Sequence, residues 1–241
     1  MEIDNCMFIR FSKAFFIALL FLTTHLQISA QTEKPKYSFK SKTAIYFESV
    51  GLVNVREMDE SISVRLIYST SDNFTGRILY EDLKEAYLHP DAAKALVAAQ
   101  RNLKRQHSSY TLVVYDASRP ISIQWKMWET VRGTSGNIYV ANPVRGGGLH
   151  NYGVAVDVSI LDAVGQPLPM GTKVDYFGIE AHIANEAELV RQGKITSEEW
   201  KNRLLLRQVM REGGFHTISS EWWHFNLCSR ETAKQKYVLI K

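Results

Sequence analysis

The chain is poor in cysteine, in clustered charge and in long apolar runs, and each shortage removes a class of protein. Only two cysteines occur among its 241 residues. Cys6 falls within the first thirty residues, and once these are removed Cys228 has no partner, so no intrachain disulfide supports the fold. Cys228 follows His224 closely enough to suggest a ligand, although a lone cysteine in a strand is more often a small buried hydrophobe. No cluster of lysine and arginine could neutralise a phosphate backbone, and a net charge of +4 is mild, so the sequence offers nothing for nucleic acid to bind. The apolar run at residues 14–22 is well short of the roughly 20 residues that span a bilayer. It follows Arg10 and Lys13 and leads into a polar stretch ending at Ala30. That order predicts a signal peptide over residues 1–30. The mature chain is then expected to be exported, periplasmic or secreted, with no stable membrane span after cleavage. Cleavage removes two basic and two acidic residues and leaves the net charge unchanged.

With 45% hydrophobic and 22% charged residues, the remainder has an ordinary globular balance. Residues 31–42 are polar and lysine-rich, a flexible lead-in to a single domain over residues 43–241. Residues 53–68 read as extended, and residues 70–76 are dense in turn formers. Helical spacing of alanine and leucine predicts a helix over 91–106, Pro120 opens a second to about 131, and a capping pattern at Thr196 or Ser197 starts a third over 197–212, stopped by Gly213 and Gly214. Strands are predicted over 110–115, 152–160 and 221–227. In the second of these, Val154, Val156 and Val158 share one face, and Ala155, Asp157 and Ser159 the other. The glycine-rich segment 142–148 lacks the residues of a phosphate-binding loop and precedes a strand. No internal repeat is visible, and strands intermix with helices in an α+β domain.

An aspartate inside a valine-rich strand is costly unless something compensates its charge. Asp157 therefore needs a partner. His150 stands seven residues earlier, where the glycine-rich loop delivers the chain into the strand, and His224 lies in another predicted core strand. Two histidines and a carboxylate hold a cation and leave positions open, as catalytic zinc requires. Glu221 sits three residues before His224 beside Trp222 and Trp223. An aromatic wall raises a carboxylate's pKa, which suits a general base for water at the metal. Positions three apart face opposite ways on an ideal strand, so this role requires Glu221 to sit at a bend; otherwise it is a surface carboxylate. Arg119 follows the 110–115 strand and could stabilise an oxyanion or simply pair with Asp116.

The stretch from His150 to Asp157 (HNYGVAVD) resembles the HxxGxAxD signature of the VanX-type D-alanyl-D-alanine dipeptidases, and residues 221–224 (EWWH) resemble their ExWH signature. Tyr68 with residues 72–76, residues 116–120, residues 169–172 and Asn202-Arg203 are similar to further family segments in the family order, so the resemblance covers nearly the whole mature chain. It implies one zinc per chain held by His150, Asp157 and His224, with Glu221 as base and Arg119 as transition-state stabiliser. It also implies that Tyr68 and Asp157 lie near the ammonium of a small D-amino-acid dipeptide substrate. The fold it implies is a small zinc-bearing antiparallel sheet flanked by helices, shared with D,D-carboxypeptidases and the hedgehog signalling domain. One position departs from the pattern: where family members commonly carry a substrate-holding serine two residues before the first histidine, this chain has Gly148.

Three other readings share these residues. The facial triad of non-haem iron oxygenases also uses two histidines and a carboxylate, but usually much closer in sequence and without a neighbouring glutamate base. A D,D- or L,D-carboxypeptidase trimming peptidoglycan stems would keep the zinc and the fold. A non-catalytic wall-binding module would keep the zinc but has no use for Glu221.

Overall fold

The computed structural model describes residues 39–241, so the expected signal peptide and most of the expected lead-in lie outside the described residues. The elements run in the order α1 (Lys42–Ser49), β1 (Val53–Asn54), α2 (Val55–Met58), β2 (Ser63–Val64), β3 (Tyr87–Leu88), α3 (Pro90–Gln106), β4 (Thr111–Asp116), α4 (Ile121–Val131), β5 (Ala155–Leu161), α5 (Glu186–Arg191), α6 (Ser197–Glu212), β6 (His216–Thr217), β7 (His224–Asn226) and α7 (Arg230–Lys236). Five strands form one sheet in the order β2-β4-β5-β7-β6. It is antiparallel from β4 to β6, and the short edge strand β2 runs parallel to β4. Among the described residues no helix is long and apolar enough to cross a membrane.

The three long helices lie where their end signals put them. His89 caps α3, its Nδ1 accepting the Asp91 amide at 3.2 Å, with Pro90 in the first turn. The α6 start is a reciprocal capping box: the Glu199 amide donates to Thr196 Oγ1 at 3.1 Å, and the Thr196 amide donates to the Glu199 carboxylate at 2.6 Å. Ala92, Leu96, Ala99 and Leu103 of α3 are buried together with Leu206, Val209 and Met210 of α6, and α3 packs on both α6 and β4.

The extended segment expected over 53–68 is broken. After β1 pairs with β3, the Asn54 side chain accepts the Arg56 amide at 3.0 Å and turns the chain into α2, and Asp59 likewise accepts the Ser61 amide. These local bonds compete with a strand ladder and win. The strand expected over 152–160 starts later, at Ala155, because residues Leu149–Tyr152 form a 3-10 turn. Both faces of β5 are buried. Its alternation therefore separates core from site rather than core from solvent: Val156, Val158 and Ile160 enter the main hydrophobic core, while Asp157 faces the other way, towards a cavity.

Gly153 joins the 3-10 turn to β5 with φ +69, and its carbonyl accepts the His89 amide at 2.8 Å. A Cβ there would stand 2.9 Å from Leu52 Cδ2, 3.0 Å from Ser118 Oγ and 3.1 Å from the His89 backbone nitrogen. Gly193 has nearly the same φ, +68, with nothing within 4 Å of the equivalent position. The pair separates backbone strain from packing. Gly193→Ala should cost about 1 kcal/mol, the left-handed penalty alone, and Gly153→Ala about 2–4 kcal/mol. Urea denaturation of the metal-free proteins measures both, and equal losses would mean that close packing at Gly153 contributes nothing.

Candidate metal centre and active site

The three expected ligands meet at the centre of the sheet. Asp157 of β5 lies directly across from His224 of β7 in the strand register, and the 3-10 turn before β5 delivers His150 beside them. His150 Nδ1 donates to the Ala117 carbonyl at 2.7 Å, and His224 Nε2 donates to Asn226 Oδ1 at 2.9 Å. With those protons engaged outward, each ring turns a lone pair inward. His150 Nε2 and His224 Nδ1 stand 3.2 Å apart, at 3.4 and 3.0 Å from the two oxygens of Asp157. The ligand atoms all lie within 4.8 Å of one another. Burial opposes the charge on Asp157, and positive charge on the His150–His224 side is what overrides burial and holds the carboxyl below the usual carboxylate range. Three acceptors converging in a buried site with no proton to share between the rings call for a cation, and this donor set fits one.

Arg119 pairs with Asp116 and still borders the cavity. Its Nε donates to Asp116 Oδ2 at 3.0 Å and its Nη2 donates to the same oxygen. Nη1 donates to Gln124 Oε1 at 2.8 Å, and Tyr80 donates to the other Asp116 oxygen at 2.7 Å. The guanidinium also faces the Tyr68 ring, 5.2 Å from its centroid, and borders the same cavity as the ligands. Burial works against its charge, and Asp116 overrides that to hold its pKa above the ordinary value. The ion pair with Asp116 is buried rather than superficial, and it aims the arginine.

Glu221 lies in the bent segment before β7, because the strand expected over 221–227 is confined to His224–Asn226. Its Oε2 lies 3.9 Å from His224 Nδ1. Burial raises its pKa to about 7, against the opposing pull of His224 and with help from Asp157 and Asp175. The two tryptophans divide the work around it. Trp223 lines the cavity, whereas Trp222 faces the other side of the segment and donates its indole N–H to Thr172 Oγ1 at 2.7 Å.

Tyr68 is buried at the cavity wall, and its hydroxyl donates to Asp175 Oδ1 at 3.0 Å. Asp175 is the site residue that sequence reasoning missed. It sits in a loop without periodicity, and only the folded chain shows its state: φ is +64, the other carboxylate oxygen has no partner, and burial lifts the pKa to about 7. The loop is held from behind by Arg203 of α6, which is fully buried. Arg203 Nε donates to the Met170 carbonyl at 2.6 Å, its Nη2 donates to the Glu180 carbonyl at 2.9 Å, and the guanidinium packs over Trp222. One arginine thus ties both ends of the Asp175 loop to the segment carrying Glu221. Cys228 remains a free thiol, packs beside Tyr152 and Val154, and does not line the cavity.

All six expected site residues, Tyr68, Arg119, His150, Asp157, Glu221 and His224, line one cavity of about 260 Å³. That lies below the range of roughly 300–1,000 Å³ for sites that take drug-sized ligands, so the space suits a small molecule.

The sequence profile of the family described as D-ala-D-ala dipeptidase, Peptidase_M15, matches residues 48–240. A D-alanyl-D-alanine dipeptidase of Escherichia coli (strain K12) is 33% identical over 180 residues, covering 75% of this chain and 86% of that protein. One from Enterococcus faecium is 28% identical over 204 residues, covering 74% and 92%, and one from Synechocystis sp. is 27% identical over 180 residues, covering 61% and 71%. The chain belongs to the D-ala-D-ala dipeptidase family of M15 metallopeptidases.

Proposed function

We propose that the protein is a zinc-dependent dipeptidase that hydrolyses D-alanyl-D-alanine, or a closely related D-amino-acid dipeptide, to free amino acids. The observation that carries this reading is the convergence of two inward imidazole lone pairs and the Asp157 carboxylate beside Glu221 in a small cavity. His150, Asp157 and His224 would hold the zinc, since three nitrogen and oxygen ligands without a thiolate leave a position open for chemistry. When bound, the zinc supplies a Lewis acid that polarises the scissile carbonyl and makes water easier to deprotonate. Glu221 takes the proton from the attacking water and passes it to the leaving amine. A carboxylate held near neutrality can do both. Arg119, aimed by Asp116, faces the negative charge that develops on the carbonyl oxygen.

The substrate ammonium is assigned to Tyr68, Asp157 and Asp175. A cation there would satisfy the unpartnered oxygen of Asp175 and favour its ionised form. A longer peptidoglycan stem would instead bring an uncharged amide against this buried carboxylate, which favours the dipeptidase over the carboxypeptidase reading. Residues 1–30 support export, which would meet dipeptides released from the wall rather than precursors made inside the cell.

Two experiments test these roles. Glu221→Gln should keep about one zinc per chain while turnover falls by about 10²–10⁴, the usual range for a general base; loss of the zinc would make Glu221 a ligand, and near-parental turnover would make it a bystander. Asp175→Asn keeps the shape of the side chain and removes its charge. It should raise KM for the free dipeptide about 10- to 100-fold, and the parent enzyme should not cleave the N-acetylated dipeptide. Parental turnover of the N-acetylated compound at the rate of the free one would move the protein to the carboxypeptidase reading.

A further inference from the structure

Gly148, where the family pattern carries serine, is part of the cavity wall, with the Ala141 methyl close beside it. A Cβ built there would stand 3.2 Å from the Ala141 methyl, closer than an ordinary contact. At this position the chain offers the substrate no hydroxyl. A zwitterionic dipeptide still has a carboxylate that must be matched. The cavity wall holds three carboxylates, Asp157, Asp175 and Glu221, and two arginines. Arg119 is neutralised by Asp116.

The other is Arg230, the first residue of α7, which also borders the cavity. Its Nη2 donates to the Arg145 carbonyl at 2.8 Å, in the loop that runs on to Gly148, so the guanidinium is tethered on the Gly148 side of the site. Nε and Nη1 have no partner, and Arg230 forms no ion pair, among the described residues. Asn226 of β7, which accepts from His224, lines the same cavity, so Arg230 and the metal-proximal strand border one space. A planar guanidinium with free N–H groups is the best match among side chains for a carboxylate, because it can donate two parallel bonds.

We propose that Arg230 binds the substrate's C-terminal carboxylate and restricts the enzyme to peptides that end one residue after the scissile bond. This rests on the dipeptidase reading and adds to it the residue that recognises the carboxyl end. The ammonium side is met by Tyr68 and Asp175 from other segments, so the two ends of the substrate are read by separate parts of the chain.

The test compares D-alanyl-D-alanine with its C-terminal amide, in the zinc-loaded parent and in Arg230→Gln and Arg230→Lys. Arg230 is exposed at the start of a helix, so the substitutions should leave the fold intact. The parent should favour the free acid over the amide by about 10- to 100-fold, as expected for a charge-assisted hydrogen bond. Arg230→Gln should raise KM for the acid by that factor, with the loss in KM rather than kcat, and bring acid and amide together. Arg230→Lys, which keeps the charge but loses the fork, should fall between. If Arg230→Gln retains the parental KM and the parental preference for the acid, the proposal is overturned while the dipeptidase reading stands. A zinc-loaded parent that cleaves neither compound overturns both.

Discussion

Three lone pairs pointed at one another in a buried site repel unless a positive charge lies between them, and much of this structure is arranged to keep them there. The Ala117 carbonyl fixes the proton of His150 on its outer nitrogen, and Asn226 does the same for His224. The strand register sets Asp157 opposite His224. Gly153, in a left-handed conformation against a wall of Leu52, Ser118 and His89, lets the chain turn from His150 into β5 within five residues. The cost of this frustration in the metal-free chain is the other side of affinity for a cation, since whatever relieves the repulsion is bound by it.

The groups around the centre are positioned by charges buried one layer out. Asp116 engages Arg119 through two donors and Tyr80 through a third, and Asn151 donates to the Arg119 carbonyl at 2.8 Å. On the opposite side, Arg203 fastens the loop bearing Asp175 and covers Trp222 next to Glu221. Buried guanidinium groups are poor sources of stability, because desolvation offsets most of their pairing energy. Their value here is geometric: each fixes the orientation of a group that must meet a small substrate.

What could be read from the sequence followed from local rules. The long helices carried their caps with them, from His89 and Pro90 to the Thr196–Glu199 box. Asp157 stood out because a carboxylate in a valine strand violates the pattern of its neighbours, and the spacing of His150 and His224 supplied partners. Residues 53–68 were misread as continuous because Asn54 and Asp59 bend the backbone through bonds that no periodicity reveals. Asp175 was invisible for a different reason. Its importance comes from a long-range meeting with Tyr68, 107 residues away, and from burial that raises its pKa, and neither leaves a mark on the residues beside it.

The central claim, that the inward lone pairs of His150 and His224 and the Asp157 carboxylate together hold one zinc, is tested most directly by X-ray absorption at the zinc edge of the loaded protein. The account predicts a first shell of nitrogen and oxygen only, at about 2.0–2.2 Å, with the multiple scattering of two imidazoles. A sulfur scatterer at about 2.3 Å would bring Cys228 into the coordination sphere, and a shell without imidazole signature would mean that the metal lies elsewhere; either result contradicts the account.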